Sequence, residues 1–186
     1  RNDMVARAQK RHSFSYHLFS YIERDFSVKD AFDKTKEIMS KQSPWLDADG
    51  DGEHGEEADY AMLENVYIPY QLGTDFPDLP DIYDISDEQI LTAGKEEANI
   101  WAQASGAGIS GVWALIAPPD ALDPYKPFES WEELTLPEIE LFDHDGDDIY
   151  ANTYSGFTKP GTYTITVLAE NTEGYTGDPV QTTVKV

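Results

Sequence analysis

The chain has no cysteine in its 186 residues. That excludes disulfides, iron–sulfur clusters, thiolate zinc sites and a Cys nucleophile on this chain. Basic residues are scarce: 13 Lys and Arg stand against 36 Asp and Glu, for a net charge of −23. Phosphate contacts need clustered Lys and Arg, so nucleic acid is not an expected partner. Long apolar runs are also missing. The longest is Val112-Trp113-Ala114-Leu115-Ile116-Ala117, far short of the roughly 18 residues of a membrane span. What is present is 40% hydrophobic residues, enough for a packed core and against a wholly disordered acidic chain. The length suits one or two domains. The sequence opens at Arg1, its first Met is Met4, and no signal-like apolar stretch follows. The expectation is a segment of a longer product.

The charge is unevenly spread. Residues 1–41 hold nine basic and six acidic residues, a net of +3, and residues 42–186 carry the remaining −26. Such a shift suggests different surroundings for the two parts, although a mixed-charge helical face followed by a solvated acidic face has the same pattern.

Residues 1–41 read as helical. Phe14, Leu18, Tyr21 and Ile22 share one helix face, and Ser13 or Ser15 can cap its start. Ser27-Val28-Lys29-Asp30 opens a second helix, with Ser27 as N-cap and Asp30 at its third position. Ala31, Ile38 and Met39 are expected to face inward, with Phe32 near the edge. Two short helices cannot bury both apolar faces alone and need something to pack against. Residues 42–80 have weak periodicity. Ser43-Pro44, Gly50, Gly52 and Gly55 punctuate the first half, and Asp75, Pro77, Asp78, Pro80 and Asp81 the second. Tyr60 to Leu72 is apolar enough for a short helix or strand. This stretch reads as a linker with local order.

Residues 81–186 read as all-β. Candidate strands cover residues 82–85, 98–104, 111–117, 136–142, 149–154, 161–169 and 180–186. The clearest alternation sets Tyr163, Ile165, Val167 and Ala169 inward against Thr162, Thr164 and Thr166 outward. Seven short strands in that length predict an immunoglobulin-like β-sandwich. Trp101 and Trp113 are expected in the core, at the place of the missing disulfide. Tyr163, just after Pro160-Gly161, is placed for a tyrosine corner.

The strongest local chemical signal is Asp47-Ala-Asp49-Gly-Asp51-Gly52, a D-x-D-x-D-G run. Calcium takes about six to eight hard oxygen ligands, and alternate carboxylates put three side chains on one small ion. Glu53 stands where such a loop donates a backbone carbonyl. An EF-hand places a bidentate Glu at position 12, but that position is Ala58, so this is not a standard EF-hand. Glu56, Glu57 and Asp59 lie close enough in sequence to complete the shell. The bland alternative is a solvated acidic turn, but three carboxylates at this spacing repel one another without a cation. A second run, Asp143-His144-Asp145-Gly146-Asp147-Asp148, is a hairpin turn signal first. Asp143, Asp145 and Asp147 make it a possible second calcium loop. Zinc through His144 is disfavoured, because no second His is near.

Nothing on the chain reads as catalytic. The histidines, His12, His17, His54 and His144, form no H-E-x-x-H pattern, and no G-x-S-x-G elbow is present. Gly106-Ala-Gly108-Ile-Ser-Gly111 spells G-x-G-x-x-G but lies between strands, so it reads as a loop.

Three stretches carry a family resemblance. They are His12-Ser-Phe-Ser-Tyr-His-Leu-Phe with Phe26-Ser-Val-Lys-Asp-Ala-Phe32; Ser43-Pro-Trp-Leu-Asp-Ala-Asp-Gly-Asp-Gly52; and Leu79-Pro-Asp-Ile through Ile100-Trp101, Val112 to Pro119 and Gly161-Thr-Tyr163. They resemble the C-terminal part of bacterial secreted cysteine peptidases of the legumain-like, caspase-fold group (family C13). The resemblance implies an α+β chain. Residues 1–41 would complete a caspase-like α/β catalytic domain, 42–80 would be an acidic calcium-binding linker, and 81–186 an appended immunoglobulin-like sandwich. It also implies a catalytic His and Cys upstream of Arg1, with Arg1–Ala6 near the active-site end of the sheet. The partner would be that upstream chain or domain, with a protein substrate or a surface assembly beyond it. The setting would be secreted or at the cell surface. A calcium-dependent adhesion or filament module without peptidase activity is the alternative.

Overall fold

The computed structural model describes residues 8–9, 12–39, 44–68, 78–121 and 135–186. The readings placed on Arg1–Ala6, Ser43, Asp75 and Pro77 lie outside the described residues. The chain divides into two compact units, Arg1–Phe76 and Pro77–Val186.

The first unit begins with a two-residue antiparallel pair, β1 (Ala8–Gln9) with β2 (His12–Ser13), then α1 (Phe14–Glu23) and α2 (Val28–Ile38). Ser13 caps α1 by accepting the Tyr16 N–H, and Ser27 caps α2 by accepting the Asp30 N–H, each at 3.1 Å. The turn between them is a Schellman motif. The N–H of Asp25 reaches the Ile22 carbonyl and that of Phe26 reaches the Tyr21 carbonyl, with Asp25 left-handed at φ 65°. The Phe26 ring then meets the Tyr21 ring edge-on at 5.5 Å. Tyr21, Ile22 and Ala31 form the buried cluster of this unit, with Leu18, Phe26 and Ile38 partly buried against it. Phe32 is buried, not at the edge, because Phe14 packs edge-on against it at 5.5 Å.

A third helix, α3 (Glu57–Leu63), follows the acidic loop. It is the part of the Tyr60–Leu72 stretch that forms regular structure among the described residues. The chain after it returns to α2, where the Val66 carbonyl accepts the Val28 N–H at 2.8 Å. The described residues of this unit contain no parallel sheet and no caspase-like α/β layer. The only strands there are the two short ones, too short to found such a layer.

The second unit is a β-sandwich. One sheet holds β3 (Asp81–Ile85), β5 (Ala98–Ser105) and β8 (Ile149–Tyr154), in the order β3-β5-β8. The other holds β4 (Gln89–Ile90), β6 (Ile109–Ala117), β7 (Glu138–Leu141), β9 (Thr162–Asn171) and β10 (Val180–Lys185), in the order β4-β10-β9-β6-β7. All pairings are antiparallel except β4 with β10. Three strands facing a sheet with this crossing order are an immunoglobulin-like arrangement. Of the G-x-G-x-x-G run, residues 106–108 form the turn between β5 and β6, whereas 109–111 open β6 and are strand rather than loop.

The core comes from strand parity. On β5, Ile100, Ala102 and Ala104 are fully buried, and on β6 Val112, Ala114 and Ile116 are. Tyr163, Ile165 and Val167 of β9, which lies beside β6 in the same sheet, join the same core cluster. Trp101 and Trp113 are only half-buried and lie outside the core cluster. Each sits one residue out of phase with the buried set of its strand, and a one-residue offset puts a side chain on the opposite face. Trp113 lies instead over Gly111, two residues earlier on the same strand. The core aromatics are Phe157, Tyr154 and Tyr163. Phe157 stands between the two tyrosines, edge-on to each at 4.9 Å.

The turn from β9 to β10 is built on Asn171, whose side-chain oxygen accepts the N–H groups of Glu173 and Tyr175 while its amide donates to the Asp78 carbonyl. There Gly177 meets Pro80 so closely that a Cβ would overlap the Pro80 carbonyl.

Candidate metal centre

The loop from Leu46 to Glu56 is organised by its own carboxylates. Asp47 accepts the Gly50 N–H on one oxygen at 2.7 Å and the Gly52 N–H on the other at 3.2 Å. Asp49 accepts from Asp51 at 3.2 Å, and Asp51 from Glu53 at 2.7 Å. Gly50 and Gly52 are left-handed, at φ 77° and 89°, a conformation that costs a residue with a side chain. The Gly55 N–H closes the loop on the Leu46 carbonyl at 2.8 Å. Trp45, largely exposed, stacks on His54 at 4.5 Å.

The carboxylate oxygens converge. Asp47, Asp49 and Asp59 each place one within 4.8 Å of the others, and Asp49, Asp51 and Glu56 do the same. Asp49 belongs to both groups. Glu53 and Glu57 join neither group. Glu53 enters the loop through its backbone N–H, and Glu57 lies in the first turn of α3. Glu56 joins because it is the N-cap of α3, paired with Asp59 in a reciprocal capping box.

The electrostatics record the crowding. The neighbouring charge of Asp51, then burial, then Asp49, Asp59 and Asp47, push the Glu56 carboxyl above the usual range. Asp59 is fully buried. Burial pushes its carboxyl up, but backbone donors at Ala48, Glu56, Gly55 and Asp49 outweigh that and hold it below the usual value.

The second acidic run has the same turn. Asp143 accepts the Gly146 N–H at 2.7 Å on one oxygen and the Asp148 N–H at 3.2 Å on the other, and Asp147 accepts from Ile149 at 3.0 Å. Gly146 and Asp148 are left-handed at φ 79° and 64°. The two bonds to the first Asp, the bond to the third Asp and both left-handed positions therefore recur at an offset of 96 residues, but the Asp147 N–H goes to Asp143, whereas its counterpart Asp51 donates to Asp49. Asp143, Asp145 and Asp147 bring their oxygens within 4.8 Å of one another. The Gly146 N–H holds the Asp143 carboxyl low, against burial and together with Asp148, Asp145 and Asp147. The run is not a hairpin within one sheet. β7 and β8 belong to different sheets and are bridged here by the single pair Phe142–Ala151.

Comparison with known proteins adds one sequence match. Residues 132–186 match the family described as Internalin K domain (D3/D4). That span holds β7, β8, β9 and β10. None of the curated proteins matches the chain. Similar solved structures include the fibronectin(III)-like modules of CbhA from Clostridium thermocellum, at 17% identity and TM-score 0.37, covering 61% of this chain and 48% of that one. CopC from Methylosinus trichosporium is similar at 10% identity and TM-score 0.37, covering 59% and 92%. A fungal alcohol oxidase in complex with copper is similar at 18% identity and TM-score 0.34, covering 57% and 20%. The chain thus spans about half the length of the CbhA modules.

Proposed function

We propose that this chain is a non-catalytic module of a secreted or cell-surface protein, in which a calcium-braced loop and helix accompany an immunoglobulin-like sandwich. Its work is support or docking. The observation that carries the proposal is the repeated turn. In two D-x-D-G-D runs in separate units the first Asp accepts the N–H groups three and five residues on, and each run gathers three carboxylates within 4.8 Å. Calcium is the favoured ion because every gathered ligand is a hard carboxylate oxygen and the chain has no thiolate to offer. The Asp47 loop offers two interlocking groups and is the stronger site, with Asp47, Asp49, Asp51, Glu56 and Asp59 as its ligand pool. The setting is inferred from the Internalin K domain match over residues 132–186, and no helix among the described residues is long and apolar enough to cross a membrane.

The test is calcium titration of the full chain, followed by melting with and without chelator. Trp45 flanks the loop and is the one tryptophan before residue 77, so terbium emission excited through tryptophan reports loop occupancy. No terbium signal, with a melt indifferent to chelator, refutes the proposal.

A second reading keeps the peptidase resemblance. Phe19, Met62, Tyr67 and Ile68 of the first unit are about half exposed or more, as expected if a further domain of the same protein covers this surface. In that reading the module completes a cysteine peptidase whose nucleophile lies on another segment. Co-expression with the upstream coding region tests it, because a thiol-directed peptidase probe must then label the upstream segment and not this one.

A further inference from the structure

We infer that Asp59 is a positioning residue that welds the acidic loop to α3 without any ion, so that loop and helix fold as one piece. One carboxylate oxygen accepts the Ala48 N–H at 2.6 Å, from a residue eleven positions earlier. The other accepts the N–H groups of Gly55 at 2.9 Å and Glu56 at 3.2 Å. An ordinary capping box needs only the last of these. The other two reach both ends of the loop, beside the Gly55–Leu46 backbone bond that closes it. Asp59 is fully buried, whereas Asp47, Asp49 and Asp51 are exposed. A buried carboxylate is costly unless its oxygens are satisfied, and three backbone donors satisfy these. Charge-assisted bonds of this kind are stronger than neutral ones, so the loop holds its shape through the chain's own amides. This goes beyond the calcium proposal and does not depend on it.

The experiment is amide hydrogen exchange by NMR on the full chain in excess chelator. In the native chain the amides of Ala48, Gly55 and Glu56 are expected to be protected. Asp59→Asn is expected to reduce that protection about tenfold or more. Glu56→Ala removes the other half of the capping box and is expected to leave Ala48 and Gly55 within about threefold of native. Amides in α1 and α2 are the internal control and stay protected in both variants. Free exchange of the three amides in the native chain under chelator overturns the inference. So does protection that survives Asp59→Asn, or an equal loss in Glu56→Ala. Loss of protection across α1 and α2 in Asp59→Asn also overturns it, since Asp59 is then a general stability determinant rather than a local weld.

Discussion

The Tyr163 hydroxyl accepts the backbone N–H of Lys159 at 2.8 Å. Tyr163 lies at the start of β9 and is almost fully buried, so the bond closes a tyrosine corner over the approach to that strand. Tyr163→Phe keeps the ring against Phe157 and leaves the Lys159 N–H without this acceptor. The expected cost is about 1–2 kcal/mol, read as a lower urea midpoint with an unchanged slope. Tyr163→Ala also empties ring volume and is expected to cost about 3–5 kcal/mol. Equal midpoints for Tyr163→Phe and the native chain would refute the corner.

Calcium bound to the Asp47 loop as proposed would stabilise by mass action, about 2.7 kcal/mol at one hundred times the dissociation constant. Asp49→Ala removes the one carboxylate common to both oxygen groups. It is expected to abolish the calcium-dependent rise in melting temperature of the first unit, leaving the chelated protein's melt close to native. Differential scanning calorimetry at fixed protein concentration separates these outcomes.

The first unit has two opposed pH dependences. Asp59 titrates below the usual range because its backbone donors outweigh burial. A depressed native pKa contributes stability above the unfolded value that is lost as pH falls through the native one, so this contribution fades below about pH 4. Glu56 titrates above the usual range, mainly because of Asp51. Its protonation relieves repulsion, so stability rises as pH falls through its native pKa toward the ordinary Glu value. In chelator, Trp45 fluorescence melts are expected to pass through a maximum on the mildly acidic side. Saturating calcium is expected to remove the rise, because the ion neutralises the same repulsion. A monotonic profile in chelator would contradict the assignment.

Gly177→Ala forces a Cβ onto the Pro80 carbonyl. Backbone on both sides leaves little room to give, and the expected cost is about 1–3 kcal/mol, confined to the sandwich. Native-state hydrogen exchange should show β9 and β10 weakened and α1 and α2 untouched.

The sandwich was legible where a strand states its own parity. β9 does at Tyr163, Ile165 and Val167, and the tyrosine corner follows from that register, but Thr166, expected outward, is buried as well. β5 and β6 were legible as strands but not in their inward faces. Size pointed to Trp101 and Trp113, whereas the inward set on β5 is Ile100 with small alanines that let the sheets approach. β4 has two residues and no period to read. In the acidic loop, alternation of aspartates was visible at once. The role of Asp59 was not, because its Ala48 contact spans eleven residues and leaves no periodic trace. Glu57 looks equivalent to Glu56 in sequence, and only the capping geometry of α3 separates them.

The turn that opens at Asp143 lies where the chain leaves the edge of one sheet and enters the edge of the other, with the Phe142–Ala151 pair and the Asn152 side-chain amide on the Glu140 carbonyl joining the two strands. An ion seated in that turn would act as a removable staple between the sheets. Immunoglobulin domains commonly fasten their two layers with a covalent bond. In this cysteine-free chain, calcium bound there as proposed would give the two sheet edges a fastening that calcium concentration opens or closes.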